Sequence, residues 1–352
     1  MDFNNSDLSA YLLKSTIFEL NDLSCTLPVH ESLRSKSAIC SSCFTDFFEK
    51  ENNKFTRENL LISLSTNKGT LELQKGIQKI SKEKEISKII ENLSGSLTML
   101  INGKFSNYFM SDLIKKCSKP QKLKIIYEIY SKIDQLAINE YGSHPIQTLI
   151  EKASSKEEIN LIINPLTKKN NFLKVAKNPN GTHVIQKLIT LINENYRMKL
   201  NNLILTNMLT LSTDAHGVCI VVKFITTCEN QKYLSLVVNL FSQYIRYVSD
   251  DQYGNYAVQA LIKKVSQNEK LNLILSDAII KNFVNLSTNH FGSHIISNFL
   301  ATTNDYNKCK VFKYLYNENK IGKINSNLYG HSIICKYLKL IDSSGKKAFY
   351  PF

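Results

Sequence analysis

Tyr253-Gly-Asn-Tyr-Ala-Val-Gln-Ala-Leu-Ile-Lys-Lys264 is the clearest copy of a phrase that the 352-residue chain repeats eight times. Each copy has Gly, once Ser, at an anchor position. A small or polar residue follows at the first position, usually a ring at the second, and often Gln at the fifth. The anchors are Gly69, Ser106, Gly142, Gly181, Gly217, Gly254, Gly292 and Gly330, 36 to 39 residues apart. Self-similarity at roughly 20 to 50 residues is typical of solenoids and propellers, so the secondary structure of the unit decides between them.

The phrase has the periodicity of a helix. In the copy at Gly254, apolar residues recur at helical spacing and no period-two alternation occurs. A helix is predicted to begin near Asn255 and to turn Asn255, Tyr256 and Gln259 outward while its apolar residues pack. A second apolar-periodic stretch lies between phrases, for example Leu271 to Val284, so each unit is predicted to be helix, turn, helix. Such units must stack to bury their apolar faces, which sets the polar triplets in a row.

Composition indicates an intracellular binding protein. The chain has 44 Lys and Arg against 30 Asp and Glu, a net charge of +14 and a pI near 9.2. That charge is typical of polyanion binders, although a ribosomal, membrane-surface or merely Lys-rich protein would also have it. The apolar runs are shorter than the ~20 residues of a membrane span, and the N-terminus lacks the order of a signal peptide.

Cysteine spacing predicts neither disulfides nor a metal site. The eight Cys residues are scattered, which is typical of a reducing compartment. Cys40-Ser-Ser-Cys43 is the only close pair, and it lacks two further ligands at suitable spacing. No Ser/His/Asp cluster, carboxylate pair or phosphate-binding Gly loop occurs, so we expect no catalytic residues, no metal and no cofactor.

The phrase also divides the chain into domains. Residues 1–55 contain no copy and are predicted to be an N-terminal lead and cap, partly flexible. Residues 56–345 form the repeat domain, and residues 346–352 form a C-terminal tail.

The second position of the phrase, which we call the ring position, indicates contact with bases. A single ring there could be a helix-surface side chain packed on its neighbour. Recurrence at an outward position of stacked units instead predicts rings that stack against successive bases. These rings are Tyr108, His144, His183, Tyr256 and His294.

The first and fifth positions form a reading pair. They lie one helical turn apart and point the same way, so each pair can reach one base edge while the ring between them stacks. The pairs are Thr70 and Gln74, Asn107 and Ser111, Ser143 and Gln147, Thr182 and Gln186, Asn255 and Gln259, and Ser293 and Ser297, with His331 in the last copy. This arrangement predicts one base per unit.

Lysines recur directly after the fifth position, at what we call the sixth position. There a long side chain can reach an RNA phosphate, although an ordinary solvated lysine would look the same in the sequence. These lysines are Lys75, Lys187, Lys223 and Lys336.

Over roughly residues 56 to 345 the chain resembles the RNA-binding domain of the Pumilio (PUF) family. The resemblance rests on Asp251-Gln-Tyr-Gly-Asn-Tyr-Ala-Val-Gln259, Pro179-Asn-Gly-Thr-His-Val-Ile-Gln186 and Tyr141-Gly-Ser-His-Pro-Ile-Gln147, in phase with the other copies. It implies an all-α, right-handed α-solenoid crescent of about eight Pumilio-type three-helix repeats. It also implies single-stranded RNA on the concave face, with the 5′ end toward the C-terminal repeats.

The family's function is post-transcriptional. The resemblance implies a cytoplasmic, monomeric protein that binds the 3′ untranslated regions of mRNA and represses translation or stability, with protein effectors of decay or repression as partners.

The family's code can be transferred fully to two units. It pairs Asn with Gln for uracil, Ser or Cys with Gln for adenine, and Ser or Asn with Glu for guanine. By resemblance, Asn255 and Gln259 read U at the third base of an eight-base site, and Ser143 and Gln147 read A at the sixth.

Other units depart from the code. The seventh has Ser297 where a guanine reader carries Glu, and Leu71 replaces the ring in the first. The fifth unit has Val218, Cys219 and Val222 at the first, ring and fifth positions and offers no polar side chain to a base edge. The eighth unit has His331, Ser332 and Cys335 there, which match no pair in the code. We therefore expect altered specificity toward the 5′ end of the site.

Two alternatives stay open. A nucleolar PUF-like protein that binds ribosomal RNA in ribosome biogenesis would show low base specificity, and the irregular units favour it. An armadillo- or HEAT-like protein-interaction scaffold would use the polar row to hold a peptide, but it would not need one flat-edge reading pair per unit.

Overall fold

Three classes of helix alternate along the chain in the computed structural model, which describes residues 56–168, 171–193, 196–317 and 320–343. The predicted lead and cap at 1–55 and the tail at 346–352 lie outside these residues. The helices that carry the phrase, here called the motif helices, are α2 (Asn67–Lys79), α5 (Ser106–Lys116), α8 (Ser143–Lys152), α11 (Pro179–Leu191), α14 (Gly217–Thr227), α17 (Gly254–Val265), α20 (His290–Thr302) and α23 (Leu328–Ser343).

Each motif helix has a short helix before it and, up to the seventh unit, an outer helix after it. The short helices are α1 (Arg57–Leu64), α4 (Leu97–Ile101), α7 (Ile133–Ile138), α10 (Phe172–Ala176), α13 (Met208–Ser212), α16 (Ile245–Ser249), α19 (Phe283–Ser287) and α22 (Ile321–Asn325). The outer helices are α3 (Glu83–Leu93), α6 (Lys119–Ile129), α9 (Lys156–Leu166), α12 (Met198–Thr206), α15 (Gln231–Gln243), α18 (Glu269–Lys281) and α21 (Asp305–Asn317). A 3₁₀ turn, Tyr130–Lys132, joins α6 to α7.

The unit therefore has three helices, as the resemblance implied, and the helix–turn–helix interpretation of the residue pattern is wrong. The apolar stretch from Leu271 to Val284 is divided at Asn282, which ends α18 and precedes α19. The Asn282 side chain donates from Nδ2 to the carbonyl oxygen of Ala278 at 2.9 Å. An Asn side chain that bonds to the backbone in this way favours helix ends. The apolar stretch, which looks continuous in the sequence, therefore forms two helices with a break at Asn282.

Successive motif helices pack on one another from α2 to α23, which forms the predicted all-α solenoid. Neighbouring outer helices also pack, for example α6 on α9 and α15 on α18. The core between the layers consists of Leu, Ile and Val with fully buried aromatic side chains such as Phe109, Phe172 and Phe241. Because each unit is covered by its neighbours, the motif helices present the same face unit after unit.

A side-chain cap starts most motif helices at the same point of the unit. Asp251 accepts hydrogen bonds through Oδ1 from the backbone N–H groups of Tyr253 and Gly254, both at 2.8 Å. An Asn or Asp lies three residues before the anchor in five other units and accepts from the anchor N–H; these residues are Asn139, Asn178, Asp214, Asn289 and Asn327. The cap satisfies donors that a helix start leaves unpaired.

The anchor is glycine because the short helix passes close to it. A Cβ on Gly254 would lie 2.2 Å from the carbonyl oxygen of Val248, six residues earlier. In the second unit Ser106 occupies the anchor, and its Oγ donates to the carbonyl oxygen of Leu100, also six residues earlier, at 2.7 Å. Serine can replace glycine there because its hydroxyl converts the close approach into a hydrogen bond.

A buried ion pair joins the second and third units. Lys122 of α6 and Glu158 of α9 approach to 3.0 Å, with almost no exposed side-chain surface. Burial opposes ionisation of Glu158, but hydrogen bonds from Lys122, Ser154 and Ser155 outweigh it and lower the pKa of the carboxyl. The same carboxylate forms the capping box of α9 with Ser155, so one side chain caps a helix and connects two units.

Candidate nucleic-acid interface

The ring position is accessible in most units. Tyr108 is 59% exposed, His144 and His294 are exposed, and His183 and Tyr256 are half-buried. All five lie within the first five residues of their motif helices, so the stack places these rings on one face of successive helices. A face of this kind can stack against the bases of an extended strand.

Three units lack a ring at this position, and the eighth has Ser332 there. In the first unit the ring position holds Leu71, which is 49% exposed. In the fifth it holds Cys219, which is 3% exposed, and burial raises the pKa of its thiol to about 11. Cys219 therefore offers neither a stacking surface nor a thiolate.

The first position is buried in every unit except the eighth, contrary to the prediction that the whole polar triplet faces outward. Its residues expose between 0 and 9% of their surface; they are Thr70, Asn107, Ser143, Thr182, Asn255 and Ser293. The first turn of each motif helix lies against the short helix and the next unit, and these side chains bond to nearby carbonyl groups there. Thr182, for example, donates from Oγ1 to the carbonyl oxygen of His216 in the next unit at 3.1 Å.

The fifth position is half-buried and completes the reading pair in the sixth unit. Gln259 donates from Nε2 to Oδ1 of Asn255 at 2.9 Å, while Nδ2 of Asn255 donates to the carbonyl oxygen of Gln252 at 2.8 Å. The backbone thereby holds the Asn255 amide with its oxygen toward Gln259. The pair predicted from the sequence is brought together, with one acceptor and one donor group in contact.

The remaining fifth-position residues are also half-buried; they are Gln74, Ser111, Gln147, Gln186 and Ser297. Ser111 donates to the carbonyl oxygen of Asn107, its partner in the reading pair, at 3.0 Å. Gln74 and Ser297 instead contact side chains of the following unit. Gln74 donates from Nε2 to Asp112 at 2.8 Å, and Ser297 accepts from Lys336 at 3.1 Å.

The fifth unit has an apolar reading pair. Val218 is fully buried and Val222 half-buried in α14, so a base opposite this unit would meet only part of one valine. In the eighth unit His331 is exposed, with Nδ1 2.8 Å from Oδ1 of Asn325 and Nε2 3.6 Å from Sγ of Cys335.

The lysines of the sixth position differ in their surroundings. Lys75 is exposed and Lys223 half-buried. Lys187 lies 3.6 Å from a carboxylate oxygen of Glu151 in the preceding unit, and Lys336 donates to Ser297. Lys187 and Lys336 thus already have protein partners beside the face where phosphate contacts are predicted.

Histidines neighbour one another across units. Burial lowers the pKa of His183, and the charges of His144 and His216 lower it further. At the other end of the row, burial lowers the pKa of His294, as do His290 and Lys336. The His290 ring packs edge-on against His294 at 5.6 Å between centroids and lies 5.1 Å from the ring of Tyr329. The face therefore carries imidazoles that stay neutral to lower pH than an isolated histidine.

Among the described residues, no group of three His, Cys, Asp or Glu side chains could hold a metal ion. No described helix is both long enough and apolar enough to cross a membrane.

Sequence reasoning missed two sets of functional residues. The Asn or Asp three residues before the anchor, which caps six of the eight motif helices, recurs in phase and could have been found from the repeat alone. The contact between Gln74 and Asp112 spans 38 residues, and no local pattern signals it.

Comparisons with known proteins agree with this geometry. The family model for the "Pumilio-family RNA binding repeat" matches residues 132–167, 171–200, 251–275 and 282–296. Pumilio homolog 12 of Arabidopsis thaliana is 25% identical over 269 residues, 75% of this chain and 44% of that protein. Suppressor protein MPT5 of Saccharomyces cerevisiae is 27% identical over 247 residues, 68% of this chain and 29% of that protein. The chain thus spans less than half the length of these relatives.

Solved structures have the same fold. The Puf4 RNA-binding domain bound to the HO endonuclease RNA 3′ UTR recognition sequence superposes with a TM-score of 0.74 at 20% identity, covering 81% of this chain and 88% of that one. PUF-8 in complex with PBE-RNA superposes with a TM-score of 0.71 at 18% identity, covering 83% and 85%. With the phrase, the three-helix unit and these relatives in agreement, the chain carries Pumilio-family RNA binding repeats and is similar to Pumilio proteins over most of its repeat domain.

Proposed function

We propose that this chain is a sequence-selective, single-stranded RNA-binding protein that acts on mRNA 3′ untranslated regions and represses translation or stability. The observation that carries the proposal is the row of accessible rings on successive motif helices, each with a polar fifth-position side chain one turn away or less. Stacking of bases on side-chain rings combined with hydrogen bonds to base edges is how proteins read unpaired RNA. The net charge of +14 favours a polyanion.

The relatives support the regulatory part of the proposal. Two Puf4 structures are of complexes with 3′ UTR recognition sequences. By analogy we propose that the chain works as a cytoplasmic monomer, without catalysis, and that it recruits protein effectors of mRNA decay or translational repression.

A second function has two observations in its favour. The apolar reading pair of the fifth unit and the lack of a Glu in the seventh suit a nucleolar protein that binds ribosomal RNA with low base specificity. The two functions differ in sequence selectivity: the mRNA regulator selects a defined motif from a random RNA pool, and the ribosomal RNA binder does not.

The test is the affinity of the full chain for RNA. A random single-stranded pool is used to select the preferred sequence, and its Kd is measured by fluorescence anisotropy, with the duplex form as competitor. Tyr256→Ala should weaken binding by about 1–3 kcal/mol, which is the usual contribution of one base stack.

Tyr306→Ala is the matched control. Tyr306 is a 62% exposed tyrosine on the outer helix α21, so its loss should leave the Kd unchanged. Equal losses for both variants would contradict the assignment of the motif-helix face. Failure of the wild-type chain to bind single-stranded RNA would favour a protein-interaction scaffold.

A further inference from the structure

The sixth position of one unit contacts the fifth position of the unit before it. Asp112, in the sixth position of the second unit, accepts a hydrogen bond through Oδ2 from Nε2 of Gln74 in the first unit at 2.8 Å. Lys336, in the sixth position of the eighth unit, donates to Oγ of Ser297 in the seventh at 3.1 Å. The contact recurs at both ends of the stack, so it follows from the packing of adjacent motif helices.

Asp112 gives this contact an unusual chemistry. It is the only acidic residue among the eight sixth positions. Its side chain is 16% exposed and also accepts from Lys115 through Oδ1 at 3.2 Å. Two carboxylate oxygens offer about four lone-pair positions, so both oxygens keep acceptor capacity toward the open face.

The contact also changes what Gln74 can offer. A glutamine that reads adenine or uracil uses its N–H₂ and its carbonyl together. Here one N–H of the Gln74 amide donates to Asp112, so the amino group lies against the carboxylate while the amide oxygen can accept from a base. Thr70, the first position of the same unit, is buried and directs its hydroxyl to the carbonyl oxygen of Leu64 at 3.4 Å. The first unit therefore presents acceptors from Gln74 and Asp112 side by side.

We propose that Asp112 is a specificity-determining residue, and that with Gln74 it reads guanine opposite the first unit. Guanine alone has two adjacent donors, N1–H and N2–H₂, on its Watson–Crick edge. Two neighbouring acceptors match them, whereas adenine, uracil and cytosine each place an acceptor there and leave one partner unsatisfied. The inference rests on the proposed function, because it requires RNA to lie across the motif helices; the base concerned is then the eighth, at the 3′ end.

The chain offers a reciprocal pair of variants. Asn298 holds the sixth position of the seventh unit, so by the same packing we expect it beside Gln259, the fifth position of the sixth unit. Asp112→Asn places beside Gln74 the same amide that the seventh unit has at its sixth position. Asn298→Asp places a carboxylate beside Gln259. The two exchanges are isosteric and opposite in charge.

The experiment starts from the RNA that the full wild-type chain selects. Kd is measured for four versions that differ only at the eighth base and for two versions with U or G at the third base. The wild type should prefer G at the eighth base by about tenfold, the discrimination of one two-bond contact. Asp112→Asn should abolish that preference, and Asn298→Asp should raise the relative affinity for G at the third base. Thermal melts establish that the variants are folded; should Asp112→Asn be unfolded, Asp112→Ser makes the same test.

The base preference separates this role from general electrostatics. Loss of a negative charge near RNA strengthens binding to all sequences alike, so an equal gain for all four nucleotides would overturn the inference. A wild type that binds selectively but ignores the eighth base would overturn it too, with the proposed function intact. A wild type that binds no single-stranded RNA would instead refute the proposed function.

Discussion

At the scale of single residues, the pair of Asn255 and Gln259 is arranged before any base arrives. Gln252 fixes the Asn255 amide, and Gln259 donates to it. A preorganised pair loses less conformational freedom on binding than two free side chains do. The pair should therefore contribute strongly to the selection of its base.

Asn255→Ser combined with Gln259→Glu should switch the third base of the preferred site from U to G. A carboxylate accepts from guanine N1–H and N2–H₂, whereas the amide it replaces offers a donor as well. A mismatch at a well-read base costs about 1–3 kcal/mol. Selection from a random RNA pool with the double variant measures the switch; retention of U would contradict the register or the assignment of this face.

At the scale of the elements, the anchor sets the distance between each motif helix and its short helix. Val248 of α16 approaches Gly254 so closely that no side-chain carbon fits between them. The cap from Asp251 starts α17 at the same residue. Together these contacts hold the first turn, which carries the first and ring positions, in a set place.

Gly254→Ala should therefore destabilise the domain, although alanine is the better helix former. The new Cβ would lie 2.2 Å from the Val248 carbonyl oxygen, and overpacking of this kind typically costs about 1–3 kcal/mol. The free energy of unfolding is measured by urea denaturation.

Gly322→Ala provides the matched control. Gly322 lies inside α22, and a Cβ there meets nothing within 4 Å. The same substitution should stabilise by up to about 1 kcal/mol through helix propensity. Destabilisation of similar size at both glycines would refute the close-approach explanation.

At the scale of the whole molecule, the stack converts one local phrase into a continuous face. Histidines of neighbouring units come close enough there to influence one another, as His144, His183 and His216 do. The lowered pKa values of His183 and His294 mean that these rings are neutral at pH 7.5 and gain charge only below the ordinary value of 6.5.

Affinity for single-stranded RNA should rise as pH falls from 7.5 toward 5.5. RNA phosphates stabilise the charged imidazole, so binding takes up protons and strengthens once the pH approaches the lowered pKa values. We expect a gain of about 1 kcal/mol at constant ionic strength. The measurement is the Kd at several pH values for the wild type and for His183→Asn with His294→Asn. A profile equally steep in the double variant would assign the protons to other groups.

The sequence by itself determined the unit, its period, the motif helices and the positions that carry rings, because these depend on spacing along one chain. The burial of Asn255 and the other first-position residues was decided by tertiary structure, as was the division at Asn282 of a stretch that looks continuous. The contacts from Asp112 to Gln74 and from Lys336 to Ser297 join residues 38 and 39 apart. A periodic pattern gives the phase of each helix but not the rotation of one helix against the next, and that rotation decides which side chains of neighbouring units meet.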